Sequence, residues 1–593
     1  MHDTLAKLCS TLRCWGSVGR LEFAVVAMAA ILVLTAAAGA GSATVATAAS
    51  SRTDATASAI APDTAELAPQ LDAMFREAYP ADEPGAAVIV VREEEVILRQ
   101  GYGMADLELG VAMRPDMVFR LGSITKQFTA VAVMMLVQEG QIALDAPITT
   151  YLPDYPMQGH IITVEHLLTH TSGIANYTEI PEVMEDLAKD MAIAEMIATF
   201  QDIELSFEPG TRFRYSNSGY FLLGAIIEEV TGQSYADYID QRIFQPLAMK
   251  RSFYGEHARI IPGRVRGYEK EQDTYVNTAY LSMTRPYAAG ALLSTVDDLA
   301  RWDAALYTDR LLPAAARERL WRSYTLADGS SADYGYGWLI GTYNGEPLLA
   351  HGGGIHGFVT FALRMPERKI FVAVLSNNPA GPTPQLLAQK AVAAACGEPL
   401  SWQRVDLSAE QLEKFVGVYR INEEETRVVT VEEGQLYTQR TGGGKNKAFP
   451  HGEKDFHYEH SLSHFWFELD ESGQVNGMVM ELFGGQQERA QRTDEPIPTG
   501  PAEVAVDPAI FESYVGVYEL MPGFNVTVFR EGDALMVQGT GQDDERVYPA
   551  SETEFFLKVA DVRFIFVVEP GADRASSLVV HQGSLEMTGK RVQ

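Results

Sequence analysis

Apolar positions along the chain change their spacing twice, and each change marks an architectural boundary. Leu67, Leu71, Met74 and Phe75 recur at helical spacing and predict a short helix. Two strand-like runs follow, 86–92 and 96–100, joined by three glutamates at 93–95, and read as a hairpin. From Ser123 onward, Ile124, Phe128, Val131 and Met135 fall on one face, which predicts an amphipathic helix with Ser123 at its N-terminus. Residues 140–345 alternate helical patterns with Gly- and Pro-rich loops. A second strand cluster follows at 348–351, 358–364 and 370–376, with a helix at about 384–395. Strands at both ends with helices between predict one α/β domain over 64–400, its sheet completed by both termini of the domain.

After about residue 400 short alternating strands and turns dominate, and the pattern repeats. Phe415-Val-Gly-Val-Tyr419 returns 99 residues later as Tyr514-Val-Gly-Val-Tyr518. The same offset carries Phe449-Pro450 onto Tyr548-Pro549, Phe456 onto Phe555, and Phe465-Trp-Phe467 onto Phe564-Ile-Phe566. Each copy, 407–492 and 508–593, is long enough for a small closed antiparallel barrel of about eight strands. The proline-rich stretch within 493–507 fits a stiff linker.

Composition narrows the partners. The chain of 593 residues carries a formal net charge of −32, which argues against nucleic acid and anionic membrane surfaces. Lys7, Arg13 and Arg20 precede an apolar run from Phe23 to about Ala40, followed by small residues suited to cleavage. Residues 1–48 therefore read as a signal peptide or an N-terminal anchor, and 49–63 as a flexible tether. The body is expected to be periplasmic or secreted, and no later stretch is apolar enough to cross a membrane. With residues 1–48 removed, Cys396 is the only cysteine, so no internal disulfide can form.

Three motifs carry candidate chemistry. In "RLGSITKQFT", Ser123 is followed by Lys126 one helical turn on, on the same face. A serine hydroxyl needs an adjacent base to become a nucleophile. A lysine that is buried near a helix N-terminus loses its preference for the charged form and can be that base. Tyr215-Ser-Asn217 offers a phenol to move a proton and an amide to bind a substrate amide. His351-Gly-Gly-Gly354 ends a strand pattern; its glycines allow close backbone approach and N–H groups aimed at an oxyanion. Each motif alone has an ordinary structural explanation: a helix cap, a turn, a glycine bend.

In the order Ser-x-x-Lys, Tyr-x-Asn, His-x-Gly, they make residues 64–396 resemble the serine hydrolases of the class C β-lactamase and penicillin-binding type. "LLTHTSGI" at 167–174 and "AAGALLSTVDDLARW" at 288–302 support the resemblance. It implies a β-lactamase-like α/β (α+β) domain with a central antiparallel sheet and a helical subdomain, followed by two lipocalin-like barrels. It implies Ser123 as the acylated nucleophile, with Lys126 and Tyr215 sharing the proton transfers. Asn217 would hold the substrate amide, His351 takes the place of a family lysine, and the glycines at 353 and 354 shape the oxyanion hole, formed by the N–H groups of Ser123 and Gly354.

The histidine and the absent threonine depart from the family's Lys-Thr-Gly, which disfavours substrates with a carboxylate beside the scissile bond. The variant resembles the D-stereospecific aminopeptidases of the family, and an acidic loop at Gln542–Glu545 is then a candidate to reach the site. His166 and His170 are four apart but lack a third ligand, so neither metal nor cofactor is expected. The expected activity is hydrolysis of a small peptide or amide with a free amino end, D configuration being among the options. An esterase or cell-wall peptidase of the same mechanism is the alternative, and a slow binding or sensing protein the alternative of another class. The sequence leaves the oligomeric state open.

Overall fold

The computed structural model describes residues 63–592, apart from short stretches at 272–273, 398–401, 423–424, 442, 459–460, 483–486, 499–502, 522–523, 541–543, 559, 570 and 583–584. Residues 1–48, expected to be a signal peptide or an anchor, and 49–62 of the expected tether lie outside the described residues. The chain divides into two compact units, 1–400 and 401–593.

The first unit opens with helix α1 (Thr64–Ala78), whose N-terminal N–H of Ala65 is accepted by the Asp63 carboxylate at 3.2 Å. Strands β1 (Ala86–Arg92) and β2 (Glu95–Tyr102) form the expected hairpin. Its two-residue turn puts Glu93 and Glu94 at φ 52° and 72°, the left-handed pair that a tight hairpin requires even without glycine. Next come α2 (Thr125–Gln138) and α3 (Asn217–Thr231). Then follow β3 (Leu339–Tyr343), β4 (Glu346–Ile355), β5 (Phe358–Met365), β6 (Ile370–Ser376) and α4 (Pro384–Ala395). The six strands form one antiparallel sheet in the order β3-β4-β5-β6-β1-β2. β1 pairs with β6 from Ala86↔Ser376 to Arg92↔Ile370, so both ends of the unit do close the sheet. β3, missed by the sequence pattern, extends it at one edge.

α2 corrects the amphipathic reading. It is preceded by a 3-10 turn over Gly122–Ile124 that holds Ser123, and every residue from Thr125 to Leu136 is buried. The apolar spacing was real, but polar positions between it, Lys126 and Thr129 among them, are also covered. The turn at Tyr287–Gly290 and α3 pack across this helix. Gly224 of α3 makes room for the Tyr287 ring, which an added Cβ would meet at 2.4 Å. Phe128 stacks on Trp302 with ring centres 4.2 Å apart on the other side.

The second unit holds two closed eight-stranded meanders, Gly417–Thr493 and Gly516–Arg591, each sealed by pairing its first strand to its last. The repeat is physical as well as textual. The Tyr419 hydroxyl donates to the Phe415 carbonyl at 2.7 Å, and Tyr518 to Tyr514 at 2.8 Å. Phe415 stacks on Phe467 at 4.3 Å, and Tyr514 on Phe566 at 4.4 Å. Arg492 reaches the carbonyls of Lys414 and Val416, and Arg591 those of Ser513 and Val515. One isolated bridge, Gly444 to Ala560, joins the barrels. Of the expected acidic loop, Asp544 and Glu545 open the strand Asp544–Pro549, and Gln542 and Asp543 lie outside the described residues.

Candidate active site

Gly122 turns the chain into α2 at φ 54°, a conformation that only glycine adopts without strain. An added Cβ there would stand 3.0–3.2 Å from the backbone of Gly353 and Gly354. At Gly353 it would stand 2.0 Å from the Leu121 carbonyl. β4 therefore runs directly over the serine turn, and the glycines are what let it pass. Thr360 of β5 fastens the crossing by donating to the Leu121 carbonyl at 2.8 Å. Ser123, Tyr215, Asn217 and Gly354 are half-buried, while Lys126 is fully covered.

Lys126 Nζ lies 3.0 Å from Ser123 Oγ, 2.8 Å from Asn217 Oδ1 and 2.9 Å from the Ala289 carbonyl. None of these partners is charged, and burial drives the amine well below its ordinary pKa. A neutral amine has two N–H groups and one lone pair. Asn217 Oδ1 and the Ala289 carbonyl can only accept, so they take the two hydrogens. The lone pair is left facing the serine hydroxyl. The rings of Tyr215 and Tyr220 lie 4.8 Å and 5.5 Å from Nζ and would stabilise the cation once the amine takes a proton.

Tyr215 hydrogen-bonds Ser123, yet burial pushes its phenol above the ordinary range, so it stays protonated. The His170 ring lies against it, 4.2 Å between centres. His170 is held in the left-handed region at φ 58° and accepts the Ser216 N–H at 3.1 Å. It is also kept neutral, chiefly by burial, and a proton on Lys126 would push the same way. His351 occupies the position expected of a family lysine but cannot supply its charge. Its Nδ1 donates to the Gly352 carbonyl at 2.6 Å, its Nε2 accepts from Tyr334 at 2.9 Å, and burial above all takes its pKa down to about 3, a proton on Lys126 pushing the same way.

Asn217 is occupied from both ends. Its Oδ1 holds Lys126, and its Nδ2 donates to Asn176 Oδ1 at 3.3 Å and Thr178 Oγ1 at 3.2 Å. The structure thus brings together all seven residues singled out from the sequence, and adds Ala289, Asn176, Thr178, His170 and Tyr334. Asn176 and His170 sit in or beside "LLTHTSGI", the only sequence signal that pointed toward them. His166, paired with His170 in the metal reading, is instead part of a helix cap with Thr163.

A serine hydroxyl faced by an uncharged amine, within an antiparallel sheet flanked by helices, defines a serine hydrolase. The chain belongs to the Beta-lactamase family, whose profile matches residues 71–396. A domain of unknown function, DUF3471, matches twice, at 403–493 and 501–591, one copy for each barrel. Penicillin-binding protein 4* of Bacillus subtilis is 27% identical over 539 residues, 88% of this chain and 98% of that protein. A D-aminopeptidase of Gluconobacter oxydans is 29% identical over 342 residues, 57% of this chain and 63% of that protein. Among solved structures, the octameric penicillin-binding protein homologue from Pyrococcus abyssi superposes with a TM-score of 0.51 at 27% identity, covering 72% of this chain and all of that one.

Proposed function

We propose that the protein hydrolyses small peptides or amides with a free amino terminus, D configuration included, through an acyl-enzyme at Ser123. The observation that carries this is the direction of the Lys126 lone pair, set by its two carbonyl acceptors. Lys126 takes the Ser123 proton as Oγ forms a bond to the substrate carbonyl carbon, and the carbonyl π electrons move to oxygen. The N–H groups of Ser123 and Gly354 receive that oxyanion. On collapse the C–N bond breaks and the leaving amine takes a proton from Tyr215, whose phenol is kept protonated by burial; Lys126 returns its proton to Tyr215. Water then repeats the sequence on the ester. His351 is neutral and hydrogen-bonded on both nitrogens, so it offers no cation to a carboxylate at the scissile bond. That favours amides with an uncharged reacting end, as does the likeness to a D-aminopeptidase.

The test is a panel of D- and L-aminoacyl anilides, with free and with blocked amino ends, beside short-chain esters. Free-amine anilides are expected to be turned over fastest, and Ser123→Ala to abolish both turnover and labelling by a serine-directed probe. Preference for blocked amines would remove the aminopeptidase reading, and turnover of esters alone would make the protein an esterase. We also propose that it acts outside the cytoplasm, from the pattern of residues 1–48; a mature N-terminus still at Met1 in cytoplasmic protein would refute this.

A further inference from the structure

The two acceptors that aim Lys126 are held in different ways. Asn217 Oδ1 belongs to a side chain fixed by Asn176 and Thr178. The other acceptor, the Ala289 carbonyl, belongs to the short turn Tyr287–Gly290, whose first residue is strained. Tyr287 stands at φ 41°, where a bulky side chain is an outlier and glycine would be at ease. Such a conformation persists only when the surroundings impose it.

The bonds that impose it can be followed atom by atom. The Tyr287 hydroxyl donates to Glu228 Oε1 at 2.5 Å, and burial first, then that carboxyl group, keeps the phenol protonated. The same oxygen accepts the Tyr235 N–H at 2.8 Å. The Tyr235 hydroxyl lies 2.7 Å from Thr129 Oγ1, which lies 2.7 Å from the Ala288 carbonyl. A carbonyl can only accept, so Thr129 gives its one hydrogen there and receives that of Tyr235. Two successive carbonyls, Ala288 and Ala289, thus rest on two side chains of α2 one turn apart, Thr129 and Lys126. Glu228 lies near the end of α3, the helix that begins with Asn217. One helix therefore governs both acceptors, Asn217 directly and Ala289 through Tyr287. The Phe221 and Tyr235 rings lie 4.9 Å and 5.2 Å from the Tyr287 ring, so Tyr287→Phe removes the anchor and leaves the packing.

We propose that Glu228, Tyr287 and Thr129 are positioning residues for the reaction: they hold the Ala289 carbonyl on Lys126, so that the amine keeps its lone pair on Ser123. This rests on the serine–lysine reading above and adds to it the groups that aim the base. With the turn released, the amine is free to rotate a hydrogen toward Ser123 and present its lone pair elsewhere, and the hydroxyl loses its acceptor.

The experiment reads the second-order rate at which a fluorophosphonate labels Ser123, which reports the activated hydroxyl whatever the substrate. Tyr287→Phe and Thr129→Val should each slow labelling about tenfold, part of the 10²–10⁴ that a positioned base supplies. The double variant should be about as slow as either single one, because both bonds hold one turn. Glu228→Gln keeps the accepting oxygen and should label near the wild-type rate, whereas Glu228→Leu should fall to the rate of Tyr287→Phe. Tyr238→Phe is the control for loss of a buried hydroxyl, since that hydroxyl has no hydrogen-bond partner among the described residues; it should label as the wild type does. Wild-type labelling by Tyr287→Phe or Thr129→Val overturns the proposal. So does a hundredfold loss in the double variant, which would mean two independent effects, or an equal loss in Tyr238→Phe, which would mean general loosening. If Tyr287→Phe fails to fold, Thr129→Val and the contrast between Glu228→Gln and Glu228→Leu decide. A wild type that is not labelled at all is a different failure: it removes Ser123 as the nucleophile, and the positioning role with it.

Discussion

The interior of each barrel and the interior of the hydrolase unit solve burial in opposite ways. In the barrels an aromatic ladder fills the space, and in each copy one tyrosine hydroxyl among those rings reaches a carbonyl four residues back, at Tyr419 and again at Tyr518. Nothing there needs to change charge. Beneath Ser123 the covered groups are Lys126, His170, His351, Tyr220 and Tyr334, and burial shifts every one of them toward its neutral form. The same desolvation that would only cost stability in a barrel is what makes an amine a base in the hydrolase unit. Burial of an ionisable group is therefore informative about function only together with its partners. Lys126 is surrounded by acceptors that leave one lone pair free, whereas Tyr419 and Tyr518 are closed off by carbonyls a few residues back along their own chain.

The sharpest way to break this contrast is Lys126→Met. It should lower kcat/KM on the order of 10³-fold. Because the folded state binds this proton less readily than the unfolded chain, wild-type stability should rise as pH climbs toward about 10.4, the unfolded lysine value. That rise should vanish in Lys126→Met. A variant that keeps both activity and slope would mean the amine is neither base nor neutral.

A smaller effect separates the two units by pH. His351 and His170 are neutral when folded and protonate near pH 6.5 when unfolded. Stability of the hydrolase unit should be intact above that value and fall as pH drops toward about 3, the folded value for His351. The slope is at most about 1.4 kcal/mol per pH unit for each histidine. Urea unfolding of the wild type and His351→Gln from pH 7 to 4 should show the slope reduced by about one proton in the variant. An unchanged slope would remove His351 from the account.

The smallest effect tests the barrels against each other. Tyr419→Phe and Tyr518→Phe should each cost about 1 kcal/mol, since each loses one hydrogen bond of the same geometry. Unequal costs would show that the two copies, alike in sequence and contacts, are not alike in stability.

How much of this was legible beforehand follows from the range over which each feature is encoded. Ser123 and Lys126 are three residues apart, so helical geometry alone aligns them. The hairpin from Ala86 and the 99-residue repeat are likewise patterns along the chain. The glycines at 352–354 announced a close approach, though not that the thing approached was the Leu121 carbonyl. Asn176 and Thr178, which orient Asn217, were not singled out even though they follow "LLTHTSGI", because an amide and a hydroxyl in a loop look like any turn. The amphipathic reading of α2 failed because polar residues covered by other elements are indistinguishable, in sequence, from polar residues facing water.

The sequence by itself determined the order of the chemical groups, the period of each element and the duplication of the barrel. These depend on spacing, and spacing survives in one dimension. Only the tertiary structure decided the protonation states. The neutrality of Lys126 depends on carbonyls at Ala289 and Asn217 and on the removal of water by α3 and β4. Desolvation is a property of the space around an atom, and chain neighbours supply little of it.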